Sequence, residues 1–131
     1  TFFLGKVPES ARKPFDTMMK ARAAAYALLK PGMVLEEIDK AARKVIIDAG
    51  YEKYILHRTG HGLGITGHEA PYVALGDTRK LEPGMLISIE PGIYIPGEGG
   101  YRHSDTVLIT ETGYERLTAT PDTLEAMTVA L

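Results

Sequence analysis

All four histidines of this chain fall in two short stretches rich in glycine or polar residues. His57-Arg58-Thr59-Gly60-His61-Gly62-Leu63-Gly64 runs on to His68-Glu69-Ala70-Pro71, and Tyr101-Arg102-His103-Ser104-Asp105-Thr106 follows later. Between them stands Ile89-Glu90-Pro91-Gly92, a carboxylate at the end of an apolar run that a proline stops. Imidazole and carboxylate are the side chains that move protons or hold metals near neutral pH. Gathered on a few loops and strand ends, they describe a reaction site.

An imidazole, a buried carboxylate and further carboxylates can hold one or two divalent ions that polarise a carbonyl and acidify a water. His61 and Glu90 are the first candidates. Taken alone, His61 is a turn histidine beside a glycine and Glu90 a surface carboxylate, but each has the company of the other and of His68. Glu90 also follows Met85-Leu86-Ile87-Ser88-Ile89, where a buried charge needs a partner. Arg102 can clamp a substrate carboxylate through its bidentate fork or pair with Glu90 or Asp105. Glu69 either orients His68 or sits solvated in its loop. Tyr72, Tyr94 and Tyr101 read as packing.

Gly62-Leu63-Gly64-Ile65-Thr66-Gly67 satisfies the dinucleotide pattern G-x-G-x-x-G. That pattern works only where a helix opens at the third glycine, and Pro71 arrives too soon for one. The glycines instead let the backbone fold tightly so that His61 and His68 project into a common space.

The elements that must position these groups follow from periodicity. Thr1 to Val7 reads as a strand. A helix then starts with Ser10 as its cap and Pro14 in its first turn; Phe15, Met18, Met19, Arg22, Tyr26 and Leu29 recur at three and four before Lys30-Pro31-Gly32 ends it. A second amphipathic helix carries Ile38, Ala41, Ala42, Val45, Ile46 and Ala49 on one face and stops at Gly50. Short β-type runs follow at 54–57, 85–89, 92–95, 105–110 and 114–118, the last two joined by a hairpin at Glu111-Thr112-Gly113. Helices first and strands after, with short connections, predict an α+β fold: a curved, mainly antiparallel sheet covered by two helices on one face. The tail after Pro121 is expected to form a helical turn or to fray.

At 131 residues, 44% of them apolar, the chain forms one domain with a core. A formal net charge of -2 with dispersed Lys and Arg predicts no nucleic-acid partner. No apolar run spans a bilayer and no leader is evident, so a cytoplasmic protein without a membrane partner is expected. Without cysteine there are no thiolate sites, and any metal must be held by nitrogen and oxygen. The sequence also lacks Asn and Gln, which suggests a thermophilic source.

The ordered motifs His57 to Gly64, His68-Glu69-Ala70-Pro71, Leu81-Glu82-Pro83-Gly84-Met85, Glu90 to Tyr94 and Asp105 to Thr110 resemble the C-terminal half of the catalytic domain in the creatinase/prolidase/aminopeptidase P family, the pita-bread fold. The resemblance covers nearly the whole chain. It implies that His61 and Glu90 are metal ligands, that His68 assists substrate binding and proton transfer beside Glu90, and that His57 lines the substrate pocket. It implies a divalent ion (manganese, cobalt or zinc) in the complete enzyme, short proline-containing peptides as substrates, cleavage of the bond before proline, and a homo-oligomer, simplest as a dimer.

Two departures qualify the likeness. Family peptidases carry two aspartate ligands ahead of a segment resembling Thr1-Phe2-Phe3-Leu4-Gly5, and residues 1–131 are therefore expected to be a single partial, truncated catalytic domain lacking its N-terminal part and inactive alone. Ser104 stands at the position of a missing glutamate ligand, within Arg102-His103-Ser104-Asp105. With His61 and Glu90 as the only ligands, this polypeptide is not expected to hold a metal tightly. Strand alternation turns His103 and Asp105 to the face opposite Arg102 and Ser104. Gly99-Gly100-Tyr101-Arg102 also resembles creatinase, which keeps a metal-independent C-N hydrolase open. A non-catalytic module of the same fold that binds peptides or proteins is the third alternative.

Overall fold

A proline, not a serine, opens the first helix. In the computed structural model, which describes residues 1–131, α1 spans Glu9–Tyr26 with Pro8 at its N-cap and no side-chain cap bond. Ser10 lies inside the helix rather than before it. Pro14 sits in the second turn, not the first, so the Ser10 carbonyl loses its usual N–H partner there. Burial offsets this, because Ala11, Pro14, Phe15, Met18, Ala21, Arg22 and Ala25 form one inward stripe. The helix ends at Tyr26, earlier than the apolar spacing predicts. Leu28 and Leu29 donate to carbonyls three residues back, a tightened last turn that still keeps Leu29 in the core.

The second helix, α2, spans Leu35–Asp48 and has Glu36 and Glu37 in its first turn, where the helix dipole favours negative charge. It stops at Gly50, with φ +86°. Gly50 donates to Ile47 and Tyr51 donates to Ile46, the paired bonds of a left-handed helix terminus.

The strands are β1 (Phe3–Leu4), β2 (Gly60–Gly62), β3 (Glu69–Val73), β4 (Leu86–Ile89), β5 (Gly92–Ile95), β6 (Gly99–Arg102), β7 (Asp105–Ile109), β8 (Tyr114–Arg116) and β9 (Thr128–Val129). Five of them form one antiparallel sheet in the order β3-β2-β4-β7-β8. β5 and β6 form a hairpin, and β1 pairs with β9 in parallel. Helix α1 packs on the β5–β6 hairpin and α2 on β3, so the two helices and a mainly antiparallel sheet make the expected α+β fold. Phe15, Met18, Ile38, Ile46, Ile87, Ile89, Ile93 and Ile109 fill the space between.

Several elements differ from the periodicity. The run at 54–57 is not a strand: residues 52–54 make a 3-10 turn and the segment continues irregularly to Thr59. The opening strand shrinks to Phe3–Leu4. Three strands, β2, β3 and β6, carry no apolar alternation. In β2 two of the three residues are glycine, and what they satisfy is a close backbone approach. A Cβ on Gly60 would collide with the Ser88 carbonyl, so only glycine lets β2 lie there.

Candidate metal and substrate site

Strands β2 and β4 lie side by side, Gly62 opposite Ile87, and this pairing brings the first two functional groups together. His61 is the middle residue of β2, and Glu90 follows the last residue of β4, its backbone N–H donating to the Thr59 carbonyl at 2.7 Å. Their side chains meet, with His61 Nε2 3.0 Å from Glu90 Oε1. His68 precedes β3, and its ring packs edge-on against that of His61 with centroids 4.1 Å apart. One donor atom from each of His61, His68 and Glu90 lies within 4.8 Å of the others. His61 is buried, Glu90 partly buried and His68 exposed, so the cluster opens to solvent on the His68 side.

Hydrogen bonding shows what this cluster accepts. His61 Nδ1 lies 2.9 Å from the Gly62 carbonyl, which can only accept, so Nδ1 carries the proton. The Nε2 lone pair of a neutral ring then faces a carboxylate oxygen, and two acceptors at 3.0 Å require a cation or a shared proton between them. A divalent ion meets that demand. Nitrogen and oxygen donors of this kind suit zinc, manganese or cobalt.

The remaining contacts orient the carboxylate. The Ser88 hydroxyl accepts from the His61 backbone N–H at 3.0 Å and donates to Glu90 Oε1 at 3.3 Å. Ser104 donates to Glu90 Oε2 at 3.1 Å, and Arg102 stands 3.9 Å from the same oxygen. Arg102 and Ser104 therefore address Glu90 from the exposed face, while His103 and Asp105 are buried on the other side, as strand alternation predicts. Glu69 accepts from the Thr66 N–H and hydroxyl; these bonds hold its carboxyl below the usual range and commit it to its own loop.

His57 lies farther along the same wall. Its Nδ1 is 2.7 Å from the Arg58 carbonyl and its Nε2 is 2.7 Å from the Tyr94 hydroxyl, so Tyr94 donates to the ring. Burial and the Glu90 carboxylate push the Tyr94 hydroxyl up, with Arg102 pulling the other way, and Tyr94 stays a proton donor at neutral pH. Gly92 must be glycine, since a Cβ would come within 2.9 Å of both the Tyr94 ring and His57 Nε2. Beside Tyr94 a hollow of about 570 Å³ is lined by Tyr54, Leu56, Ile95 and Pro96.

The sequence reading missed Tyr94 as more than packing, because a single tyrosine on a strand carries no signal of its partner. It also missed Asp39, which was findable. Asp39 falls in the stripe Leu35, Ile38, Ala42 and Ile46, a carboxylate on the buried face of α2. It accepts from the N–H groups of Thr59 and Leu75 at 2.9 and 3.0 Å and from Arg43 Nε at 2.7 Å, while Arg43 donates to the His57 carbonyl at 3.2 Å. Through this pair α2 holds both ends of the histidine-bearing segment.

Residues 1–111 match metallopeptidase family M24. The chain belongs to that family. It is 42% identical over 113 residues to the probable dipeptidase PepE of Mycobacterium tuberculosis, covering 86% of this chain and 30% of that protein. It is 45% identical over 120 residues to the Xaa-Pro dipeptidase of Pyrococcus furiosus, covering 92% and 34%. The crystal structure of dipeptidase PepE from Mycobacterium ulcerans superposes with a TM-score of 0.93 at 38% identity, covering 99% of this chain and 34% of that one. The prolidase of Pyrococcus horikoshii OT3 gives a TM-score of 0.88 at 42% identity, covering 92% and 35%. The α+β arrangement of this chain is thus shared with prolidases of the M24 family, and the chain spans about a third of the length of these relatives.

Proposed function

We propose that this chain contributes a wall of the active site of a divalent-metal-dependent hydrolase that cleaves the peptide bond before proline in short peptides. The observation that carries the reading is the convergence of His61, His68 and Glu90 within 4.8 Å in a chain of the M24 family. The names of the relatives, dipeptidase and Xaa-Pro dipeptidase, support the substrate class. In this reading residues 1–131 are one part of a catalytic domain, and further ligands come from outside them.

A bound divalent ion supplies Lewis acidity toward the scissile carbonyl and toward a water. His61 and Glu90 would hold it. Ser88, Ser104 and Arg102 keep the Glu90 carboxylate oriented and partly neutralised. His68, exposed at the mouth and in contact with His61, carries protons to and from the substrate amide. His57 and Tyr94, fixed to one another, line the substrate side.

The test is hydrolysis of Xaa-Pro dipeptides by the polypeptide that contains these residues, with added manganese or cobalt. The H61A variant should lose activity by more than about 1,000-fold, and a chelator should abolish it reversibly. A second reading rests on Ser104, a neutral hydroxyl against Glu90: a metal-independent C-N hydrolase, for which activity would survive the chelator. Absence of hydrolysis with tight peptide binding would point to the binding-module reading instead.

A further inference from the structure

Helix α2 carries three oppositely charged pairs at i, i+4 spacing, and one of them faces inward. Glu36–Lys40 and Lys44–Asp48 lie on the surface, their lysines 47% and 74% exposed, and pairs of this kind contribute little. Asp39 and Arg43 turn toward the protein: the Asp39 side chain is fully buried and Arg43 keeps 24% of its exposure. Burying an ion pair costs desolvation that apolar side chains of the same volume would avoid, so stability alone does not account for this one. Its hydrogen bonds show what does.

The β2–β3 ladder begins with Gly60 opposite Val73, and past that pair the two chain ends have no strand partner for each other. Asp39 supplies one. Its Oδ1 accepts from the Thr59 N–H at 2.9 Å and its Oδ2 from the Leu75 N–H at 3.0 Å, so a single carboxylate closes the open end of the segment that bears His61 and His68. The Thr59 carbonyl in turn accepts from the Glu90 N–H at 2.7 Å, which leaves Asp39 one residue removed from Glu90. Arg43 extends the tie: Nε donates to Asp39 Oδ2 at 2.7 Å and Nη2 to the His57 carbonyl at 3.2 Å. His57 lies in the irregular stretch before β2 and has no ladder of its own to hold it.

Resting on the hydrolase reading above, we infer that Asp39 and Arg43 are a positioning pair with divided tasks. Asp39, through Thr59, sets His61 in register with Glu90. Arg43, through the His57 carbonyl, sets the direction in which the His57 ring meets Tyr94. Both act through backbone groups, and the helix is the rigid mount from which they do so. The residue types suit the division. Two carboxylate oxygens serve two backbone N–H groups and a guanidinium at once, and the guanidinium fork reaches two acceptors that one ammonium cannot.

The test applies two readouts to each variant. A nitrogen-15 spectrum of the metal-free chain reads the His57 tautomer, which the Arg58 carbonyl and the Tyr94 hydroxyl hold with its proton on Nδ1. A zinc titration reads His61 and Glu90. In R43K the ammonium can stay with Asp39 without reaching the His57 carbonyl, so His57 should relax to a mixture of tautomers while zinc affinity stays within about twofold. D39N offers one oxygen where two are used and should weaken zinc binding about tenfold, the loss typical of a group that orients a ligand from behind. K44M, which removes an exposed pair from the same helix, should change neither readout. Circular-dichroism melts establish that each variant is folded; should D39N not fold, R43K carries the test. An unmoved His57 tautomer in folded R43K, full zinc affinity in folded D39N, equal zinc losses in the two, or the same changes in K44M would reduce the pair to ordinary helix stabilisation and overturn the inference. If the unaltered chain binds no zinc, the metallohydrolase reading falls, and the His57 response alone decides the inference.

Discussion

The carboxylate of Glu90 is held by four groups of unequal kind: an imidazole, two hydroxyls and a distant guanidinium. Only the imidazole competes for an ion; the hydroxyls fix the angle at which the oxygens are presented. Ser104 is the informative member. It stands where the resemblance expects a glutamate ligand, and it donates to Glu90 instead of adding a second negative charge. Its effect on a bound ion should therefore be indirect. Groups that orient a ligand from behind typically change metal affinity 10- to 100-fold when removed. S104A should weaken zinc or manganese binding by about tenfold, against more than about 100-fold for E90Q, in a competition titration with a chromophoric chelator. Equal losses for the two substitutions would make Ser104 a direct ligand, contrary to the geometry.

The elements are tied to one another by buried carboxylates as well as by apolar packing. Asp39 joins α2 to the site loops, and Asp105 at the start of β7 joins the sheet to α1 and to the chain beyond β8. Asp105 is buried and accepts from Arg22 Nε and from Thr118 Oγ1, each at 2.6 Å, with His103 Nε2 3.6 Å away. Burial alone would raise its carboxyl, but His103, Thr118 and Arg22 together hold it well below the usual carboxylate range. A folded-state value below the unfolded value of about 3.9 contributes stability that is fully present above that value and is lost as pH falls through the folded one. Asp77, lowered to about 2 by Arg79 and by the N–H groups of Tyr72 and Arg79 against the opposing effect of burial, acts in the same window. Thermal melts should therefore fall steadily from about pH 5 to about pH 2. D105N should cost about 3 kcal/mol at neutral pH, since it leaves the Arg22 charge without its closest partner, and should flatten that acid limb. An acid limb unchanged in D105N would show that other carboxylates govern it.

At the scale of the whole molecule, legibility followed burial. Both helices were readable because Phe15, Met18, Ile38 and Ile46 repeat at helical spacing against one core, and β4, β5 and β7 because their apolar residues are needed there. The histidine-bearing strand was not, since β2 is Gly60-His61-Gly62 and its place depends on an approach to Ser88 that no local pattern records. The candidate residues were visible by type, but their convergence was a matter of register: His61 opposite Tyr72, and Gly62 opposite Ile87. Register also limits how strongly this chain can hold an ion. Its two ligands, His61 on β2 and Glu90 after β4, are fewer than the three protein ligands of a typical catalytic zinc site, and the cluster opens to solvent on the His68 side. Weak but measurable binding is the expected result. An ion that binds only the folded state stabilises it by RT ln(1 + [L]/Kd), about 1.4 kcal/mol at tenfold excess over Kd, which for a chain of this size raises Tm by roughly 5 °C. Differential scanning fluorimetry against manganese, cobalt and zinc should show this rise at high micromolar to millimolar metal, and H61A should erase it. A Tm that stays flat for all three ions, or rises equally in H61A, would mean that the cluster is closed by a shared proton rather than built for a cation.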